Sequence, residues 1–133
     1  MIVTGAATFT AGAQSSAAAV TATADGLTTG LIPAGTRYVT ITAGADANSI
    51  VTLPAPVVGN IITAYIGATG VEVRTVALSN VKINNVDADG GAAEAALPAT
   101  TLATFTAVSA TEWILQAVDE LGAVITAIVP DAV

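Results

Sequence analysis

The chain has 133 residues, of which 53% are hydrophobic and only 10% are charged, and its ten acidic and three basic residues give it a net charge of −7. The absence of histidine and cysteine excludes a Ser-His-Asp triad, disulfides and thiolate metal sites. The acidic balance argues against nucleic acids and anionic membranes as partners, because both are bound through clustered basic residues.

So few charges also limit how the surface is built. Soluble domains ordinarily carry about a quarter of their residues as charged side chains, and this chain has less than half of that share. Alanine and threonine, which occur 30 and 20 times, stand in place of many of the charged residues that such a domain would have. We therefore expect an exterior of uncharged groups, or one that is extensively buried between subunits, and we predict a homo-oligomer.

The beginning of the chain, residues 1–30, is low in complexity, and Asp25 is its only charged residue. Threonines, poor capping and missing i,i+4 charge pairs argue against a helix at residues 15–24, so we predict an extended arm or an edge strand over residues 1–30. Neither a signal peptide nor a membrane-spanning segment is predicted. A basic leader is lacking, and the longest strongly apolar run, residues 121–129, is too short to span a bilayer.

Residues 31–133 are predicted to form a single all-β domain. Val, Ile and Thr, which favour pleated structure, alternate with polar residues, and Gly and Pro divide the chain into short segments. In residues 71–76 the alternation is strict, and it predicts a strand with one solvated face that carries Glu72 and Arg74. The predicted strands are residues 37–42, 49–53, 60–66, 71–76, 81–84, 101–108, 113–118 and 123–129.

A short step of an apolar residue, proline and alanine occurs three times, at Ile32-Pro33-Ala34, Leu53-Pro54-Ala55 and Leu97-Pro98-Ala99. Proline cannot donate to a sheet ladder, so each step is predicted to be a corner between strands. The second gap between the prolines is close to twice the first. This spacing fits either an internal duplication or the separate use of proline at several corners between strands. The period is unclear, which favours the use of proline at corners. The pattern predicts a β-sandwich or a jelly-roll or barrel-like domain.

Three carboxylate pairs are the remaining basis for catalysis: Asp87 with Asp89, Asp119 with Glu120, and Glu94 with Glu112. A glycosidase needs two carboxyls that face each other across a cleft. It also usually has aromatic residues that stack on sugars, and this chain has only five aromatic residues. Solvated turn carboxylates are the favoured interpretation, so we predict no catalytic residue and no enzyme.

Residues 84–91 are the one stretch with oxygen ligands that a hard cation such as calcium prefers, since Asp87 and Asp89 precede Gly90 there. The alternative is an Asp-Gly turn between strands, which is favoured because turns select these residues for their conformation. The stretch also lacks the later glutamate of an EF-hand. We predict no metal-binding residue, no cofactor-binding residue and no cofactor.

Trp113 is the only tryptophan of the chain. Its neighbours Ile114 and Leu115 are apolar, and no second aromatic residue is near it in sequence. We therefore predict that Trp113 anchors the core or a subunit interface; the alternative is an exposed platform on which a sugar stacks.

The stretch Val51–Ile66, which reads VTLPAPVVGNIITAYI, and the turn from Val108 into Trp113 resemble small virion proteins of tailed bacteriophages. The resemblance is greatest to the capsid decoration (cement) proteins of marine and freshwater phages. It covers roughly residues 31–118 and includes the Ala/Thr/Gly/Val composition without cysteine. It implies a β-sandwich or barrel-like domain on the capsid exterior of the virion, where it would bridge neighbouring major capsid proteins and stabilise the shell.

The resemblance further implies a trimer, because capsids offer three-fold positions, and it supplies no catalytic residues. The alternative function is a receptor- or glycan-binding module of a phage fibre or tail, since similar strings occur in such modules. The two functions differ in what they require of the surface. A decoration protein needs a surface that proteins cover, whereas a glycan-binding module needs an exposed aromatic platform.

Overall fold

The computed structural model of the chain describes residues 16–26, 29–76, 80–88, 93–126 and 128–132. Over these residues it contains twelve strands and no helix, which confirms the predicted all-β fold. The strands are β1 (Ala17–Thr21), β2 (Tyr38–Thr42), β3 (Ile50–Leu53), β4 (Ile61–Ile66), β5 (Val71–Thr75), β6 (Lys82–Ile83), β7 (Val86–Asp87), β8 (Ala93–Leu97), β9 (Leu102–Ser109), β10 (Glu112–Val118), β11 (Val124–Ile125) and β12 (Asp131–Ala132).

The strands form two sheets that share one hydrophobic core, in a sandwich-like arrangement. In the larger sheet the order is β1-β2-β4-β9-β10-β6-β7, and β11 also pairs with β10. The smaller sheet has the order β12-β8-β5-β3. β6 and β11 lie at opposite ends of one edge of β10, because β6 pairs with residues 112–113 and β11 with residues 117–118.

From β1 to β5 the chain coils between the two sheets. In the larger sheet β1, β2 and β4 are parallel neighbours, and in the smaller sheet β3 and β5 are parallel. Parallel neighbours need a connection that crosses back. Here the connections after β2 and β3 each contain a strand of the opposite sheet, and the connection after β1 forms isolated bridges with β3. Ala17 pairs with Tyr38, Tyr38 with Thr63, and Ile50 with Glu72, so the turns of the coil are of similar length.

Two of the three proline steps occupy equivalent corners of this coil. Leu31 forms a parallel bridge with Thr52, which places Pro33 and Pro54 one turn apart. The interval between these two prolines in the sequence is therefore the length of one turn. Pro98 instead follows β8, which runs antiparallel to β5, so the third step lies outside the coil.

Alternation along the strands directs every second side chain into the space between the sheets. Both sheets contribute to the core, so burial of apolar surface holds the two layers together. The prediction that Trp113 anchors the core is confirmed, because its side chain is fully buried. The largest fully buried side chains are Trp113, Phe105, Ile41, Leu53, Ile62, Ile66, Ile83, Leu97, Val39, Val51, Val71 and Val73.

The predicted solvated face of residues 71–76 is wrong at Arg74, whereas Glu72 and Val76 on the same side are half-buried. Arg74, on the outer side of β5, is only 9% exposed, because residues 23–26, here called the cover, lie across that side of the smaller sheet. Thr23 of the cover bridges Ile50, and Gly26 approaches the sheet so closely that a Cβ there would lie 2.7 Å from Ile50 Cγ2. Local alternation cannot reveal such burial, because the covering residues are distant in sequence.

Arg74 is the centre of the contacts that hold the cover in place. Its guanidinium lies 3.8 Å from the carboxylate of Glu94, and its Nε donates to Thr52 Oγ1 at 3.4 Å. Its Nη2 donates to the backbone carbonyl of Asp25. Thr52 Oγ1 in turn donates to the carbonyl of Gly26 at 2.9 Å. One buried cation therefore ties the cover to the smaller sheet.

A side chain closes the gap between β6 and β11 along the edge of β10. Asn84 Oδ1 accepts a hydrogen bond from Leu115 N at 2.8 Å, and Nδ2 donates to the carbonyls of Leu115 and Ile128 at 3.1 and 2.6 Å. The carboxamide thus pairs as a backbone amide does in a strand. Asn84 has a φ of 50°, a left-handed conformation that asparagine tolerates better than most residues.

Residues 1–15, 27 and 28 of the predicted arm lie outside the described residues. The part of the arm that is described belongs to the sandwich. β1 is the last strand of the larger sheet, in agreement with the edge-strand interpretation, and Val20 and Ala22 are buried in the common core.

Other strand limits differ from the predicted ones. Among the described residues of 123–129 only β11 is a strand, and within residues 81–84 only β6 is. β7 lies within residues 84–91, for which the sequence favours a turn, and the sequence pattern predicts neither β8 nor β12.

Candidate binding face

The outer side of the larger sheet carries a contiguous set of side chains without a single charge. Five neighbouring strands, β1, β2, β4, β9 and β10, alternate between the core and this side. We call this set the uncharged face. Its residues are Ala17, Ala19, Thr21, Tyr38, Thr40, Thr42, Ile61, Thr63, Tyr65, Leu102, Thr104, Thr106, Ile114, Gln116 and Val118.

The strand registers arrange these side chains in rows across the sheet. One row contains Tyr38, Thr63, Thr104 and Gln116, and Thr63 pairs directly with Thr104 at its centre. The next row contains Thr40, Tyr65, Leu102 and Val118. None of the fifteen residues is buried. The face is therefore a continuous surface of hydroxyl, aliphatic and aromatic groups.

The acidic residues that the structure describes lie outside these fifteen positions. Glu72 and Glu94 belong to the smaller sheet, Asp46 to a turn, and Asp119 to the hairpin turn between β10 and β11. At the margin of the uncharged face, Glu112 begins β10, where the pairing with β9 is irregular. Lys82 and Asp87 lie beyond β10 in the same sheet, on β6 and β7. The fifteen residues therefore form an uncharged area in a chain of net charge −7, and its composition is typical of protein interfaces, which are depleted in charge and enriched in tyrosine.

A cleft opens beside β9 and β10 on the same side of the sheet, with a volume of about 470 Å³. Leu102, Thr104, Gln116 and Val118 belong both to the cleft and to the uncharged face. The opposite wall comes from residues 124–129, of which the described ones are mostly aliphatic. None of the described residues that line the cleft has an ionisable side chain, so the cleft continues the uncharged face as a concave, largely apolar extension.

Among the described residues, the carboxylates that the sequence pairs are not shown facing each other across a cleft. Glu94 pairs with Arg74 in the smaller sheet, whereas Glu112 lies in the larger one. Asp119 accepts hydrogen bonds from the backbone amides of Leu121 and Ala123, both at 2.9 Å, which is the predicted role of a turn carboxylate.

Residues 84–91, the stretch considered as a calcium site, are described only in part. Asp87 lies exposed in β7, where it pairs with Lys82, and Asp89 lies outside the described residues. Among the residues that the structure describes, no group of three or more acidic side chains is placed to hold a metal ion.

The aromatic residues of the uncharged face were not singled out from the sequence as a binding feature. Tyr38 and Tyr65 are 40% and 39% exposed, whereas Trp113 is fully buried and presents no platform for a ligand. The signal that identifies the face is the charge-free alternation in five strands. It becomes a surface only once the pairing of those strands is known.

Comparison with protein-family models, with characterised proteins and with solved structures finds no match. Within its described part the chain has no helix with the length and hydropathy needed to cross a membrane.

Proposed function

We propose that the chain is a virion structural protein, a capsid decoration (cement) protein that binds the outer surface of the shell and stabilises it. The observation that carries the proposal is the uncharged face. A chain of net charge −7 keeps these fifteen adjoining positions on five strands free of charge, and desolvating such a surface costs far less than desolvating carboxylates. A surface of this kind is suited to being covered by protein in an assembly.

The bacteriophage resemblance indicates which assembly this is. A decoration protein strengthens a lattice through many modest contacts, and repetition over the shell makes their combined effect large. The acidic surface suits a position outside the shell, where the protein does not compete for the packaged DNA. The partners in this proposal are the major capsid protein and further copies of the chain, in a homo-oligomer on the capsid exterior.

Two apolar turns offer contacts at the ends of the sandwich. Val57 and Val58, in the turn before β4, are 60% and 66% exposed, and Leu121, in the hairpin turn after β10, is 88% exposed. Gly59 bonds to Ala107 near one end of β9, whereas the hairpin turn follows Val118, which pairs with Leu102 at the other end. These turns therefore extend the contact surface beyond the sheet face.

The proposal is tested with a tailed phage whose genome encodes this chain. Particles from which the gene is deleted are expected to release their DNA at a temperature several degrees lower than complete particles. Addition of the purified protein is expected to restore the higher temperature, because bound copies bridge neighbouring capsid subunits. Fluorescence of a DNA-binding dye during heating measures the release. Equal release temperatures, with no binding of the added protein, would contradict the proposal.

The second candidate is a receptor- or glycan-binding module of a fibre or tail. Two half-exposed tyrosines, Tyr38 and Tyr65, on one face favour it, because aromatic rings with an exposed polar end are common contact residues. A glycan array probed with the purified protein separates the candidates. Saturable binding that is lost in Tyr65→Ala would support the module, and an array without any binding would exclude it.

A further inference from the structure

We propose that a second copy of this chain packs on the uncharged face, so that the protein is a two-fold dimer. The inference goes beyond the proposed function, because it concerns the contact between copies and holds wherever the protein acts. The central contact would lie where Thr63 and Thr104 pair on neighbouring strands.

Charge is the first argument for a second copy as the occupant. Two chains that each carry −7 repel one another wherever their carboxylates approach. The uncharged face allows two copies to meet without bringing carboxylates together. A partner rich in basic residues would be drawn to the acidic surfaces instead, so this face selects a partner face that is also uncharged. The same chain supplies one.

Shape is the second argument. Tyr38 and Tyr65 lie on β2 and β4, in one half of the uncharged face, and the cleft borders β9 and β10, in the other half. A two-fold axis parallel to the strands, between β4 and β9, places β2 of each copy opposite β10 of its partner. The projecting half of each face then meets the concave half of the other, as an isologous interface requires.

Size is the third argument. The face comprises fifteen residues, and five further residues that are not buried line the cleft. Together they reach the lower end of the roughly 20–30 residues per partner that a standard protein interface contains. Alanine and threonine, which make up eight of the fifteen, let two sheets approach closely because their side chains are small. A two-fold contact is complete once two copies have joined, so it predicts a dimer and not the trimer that the resemblance implies.

Sedimentation velocity on the purified full chain tests this inference, and it needs no phage particle. We expect a reversible monomer–dimer equilibrium. Thr63→Glu places a carboxylate at the centre of each face, and like charges in contact cost several kcal/mol, so we expect the equilibrium to shift about a hundredfold or more toward monomer. Thr111→Glu, the same substitution at an exposed position in the turn between β9 and β10, is the control and should leave the dimer intact.

A second measurement keeps the test decisive if Thr63→Glu does not fold, which circular dichroism would reveal. The natural chain has no cysteine, so Thr104→Cys introduces a single thiol near the proposed axis. A short bismaleimide crosslinker should convert this variant to covalent dimers and leave Thr111→Cys monomeric. A wild-type chain that is monomeric at every concentration, a trimer, or a dimer that a folded Thr63→Glu does not weaken would each overturn the proposal. If Thr63→Glu fails to fold, equal crosslinking of both cysteine variants would overturn it as well.

Discussion

Replacing Trp113 with alanine is expected to lower the free energy of unfolding by about 3–5 kcal/mol. The side chain is fully buried in the core that the two sheets share. Its direct partner on β9 is Ala107, which is too small to fill the space that the indole would leave. Urea denaturation followed by circular dichroism measures the loss, since the substitution removes the only tryptophan as a fluorescent probe.

Trp113→Phe is the matched control for this prediction. The indole Nε1 has no hydrogen-bond partner among the described residues. Replacement by phenylalanine therefore reduces the side-chain volume without removing a hydrogen bond to any of those residues. We expect its cost to be less than half that of alanine, because the ring refills most of the cavity. A loss below about 1 kcal/mol for Trp113→Ala would contradict the account, since surface substitutions have effects of that size.

Arg74→Met is the second substitution with a large expected effect, a loss of about 3 kcal/mol in the free energy of unfolding. It removes the cation that faces Glu94 in a site where both side chains are about nine-tenths buried. It also removes the hydrogen bond to the carbonyl of Asp25 and thereby releases the cover from the smaller sheet. Chemical denaturation of the variant beside the wild type measures the effect.

Two further variants separate the charge from the hydrogen bonds of Arg74. Arg74→Lys keeps the positive charge but lacks the planar fork that reaches several acceptors at once, so we expect an intermediate loss. Combining Arg74→Met with Glu94→Gln should be less damaging than the two single losses added together, because neither partner then leaves a buried charge behind. If Arg74→Met changes the stability by less than about 0.5 kcal/mol, the cover is not held by this residue.

The strands that the sequence predicts well are those with a repeating alternation of β-branched residues. Residues 37–42, 60–66, 101–108 and 113–118 contain β2, β4, β9 and β10 almost in full, because their pattern has the period of a strand. β8 has the sequence Ala-Glu-Ala-Ala-Leu, which has little intrinsic β-propensity. Its conformation comes from pairing with β5 and β12 on either side, and local sequence does not encode that pairing.

The candidate face was only partly accessible from the sequence. The alternation of Tyr38, Thr40 and Thr42 against Val39 and Ile41 predicts that the three polar residues share one side of a strand. Which further strands extend that side depends on registers between segments as distant as β1 and β10. The burial of Arg74 is missed for the same reason, since the residues that cover it are remote in the chain.

The coil formed by β1 to β5 explains a sequence feature that alone was ambiguous. The step at Pro33 recurs at Pro54, and the parallel bridge between Leu31 and Thr52 shows that the interval between them is that of successive turns. Proline suits both corners because it cannot donate to a ladder. One repeated step was too little for the sequence to predict a coil, because repeat architectures are identified from a sustained period.

The most direct test of the proposed function is the position of the protein on the particle. Cryo-electron microscopy of complete and gene-deleted phage particles, with subtraction of the two maps, gives that position. The proposal predicts difference density repeated over the outer surface of the capsid, with each unit large enough to hold more than one copy of the chain. Difference density confined to the tail or its fibres would contradict it and favour the glycan- or receptor-binding alternative.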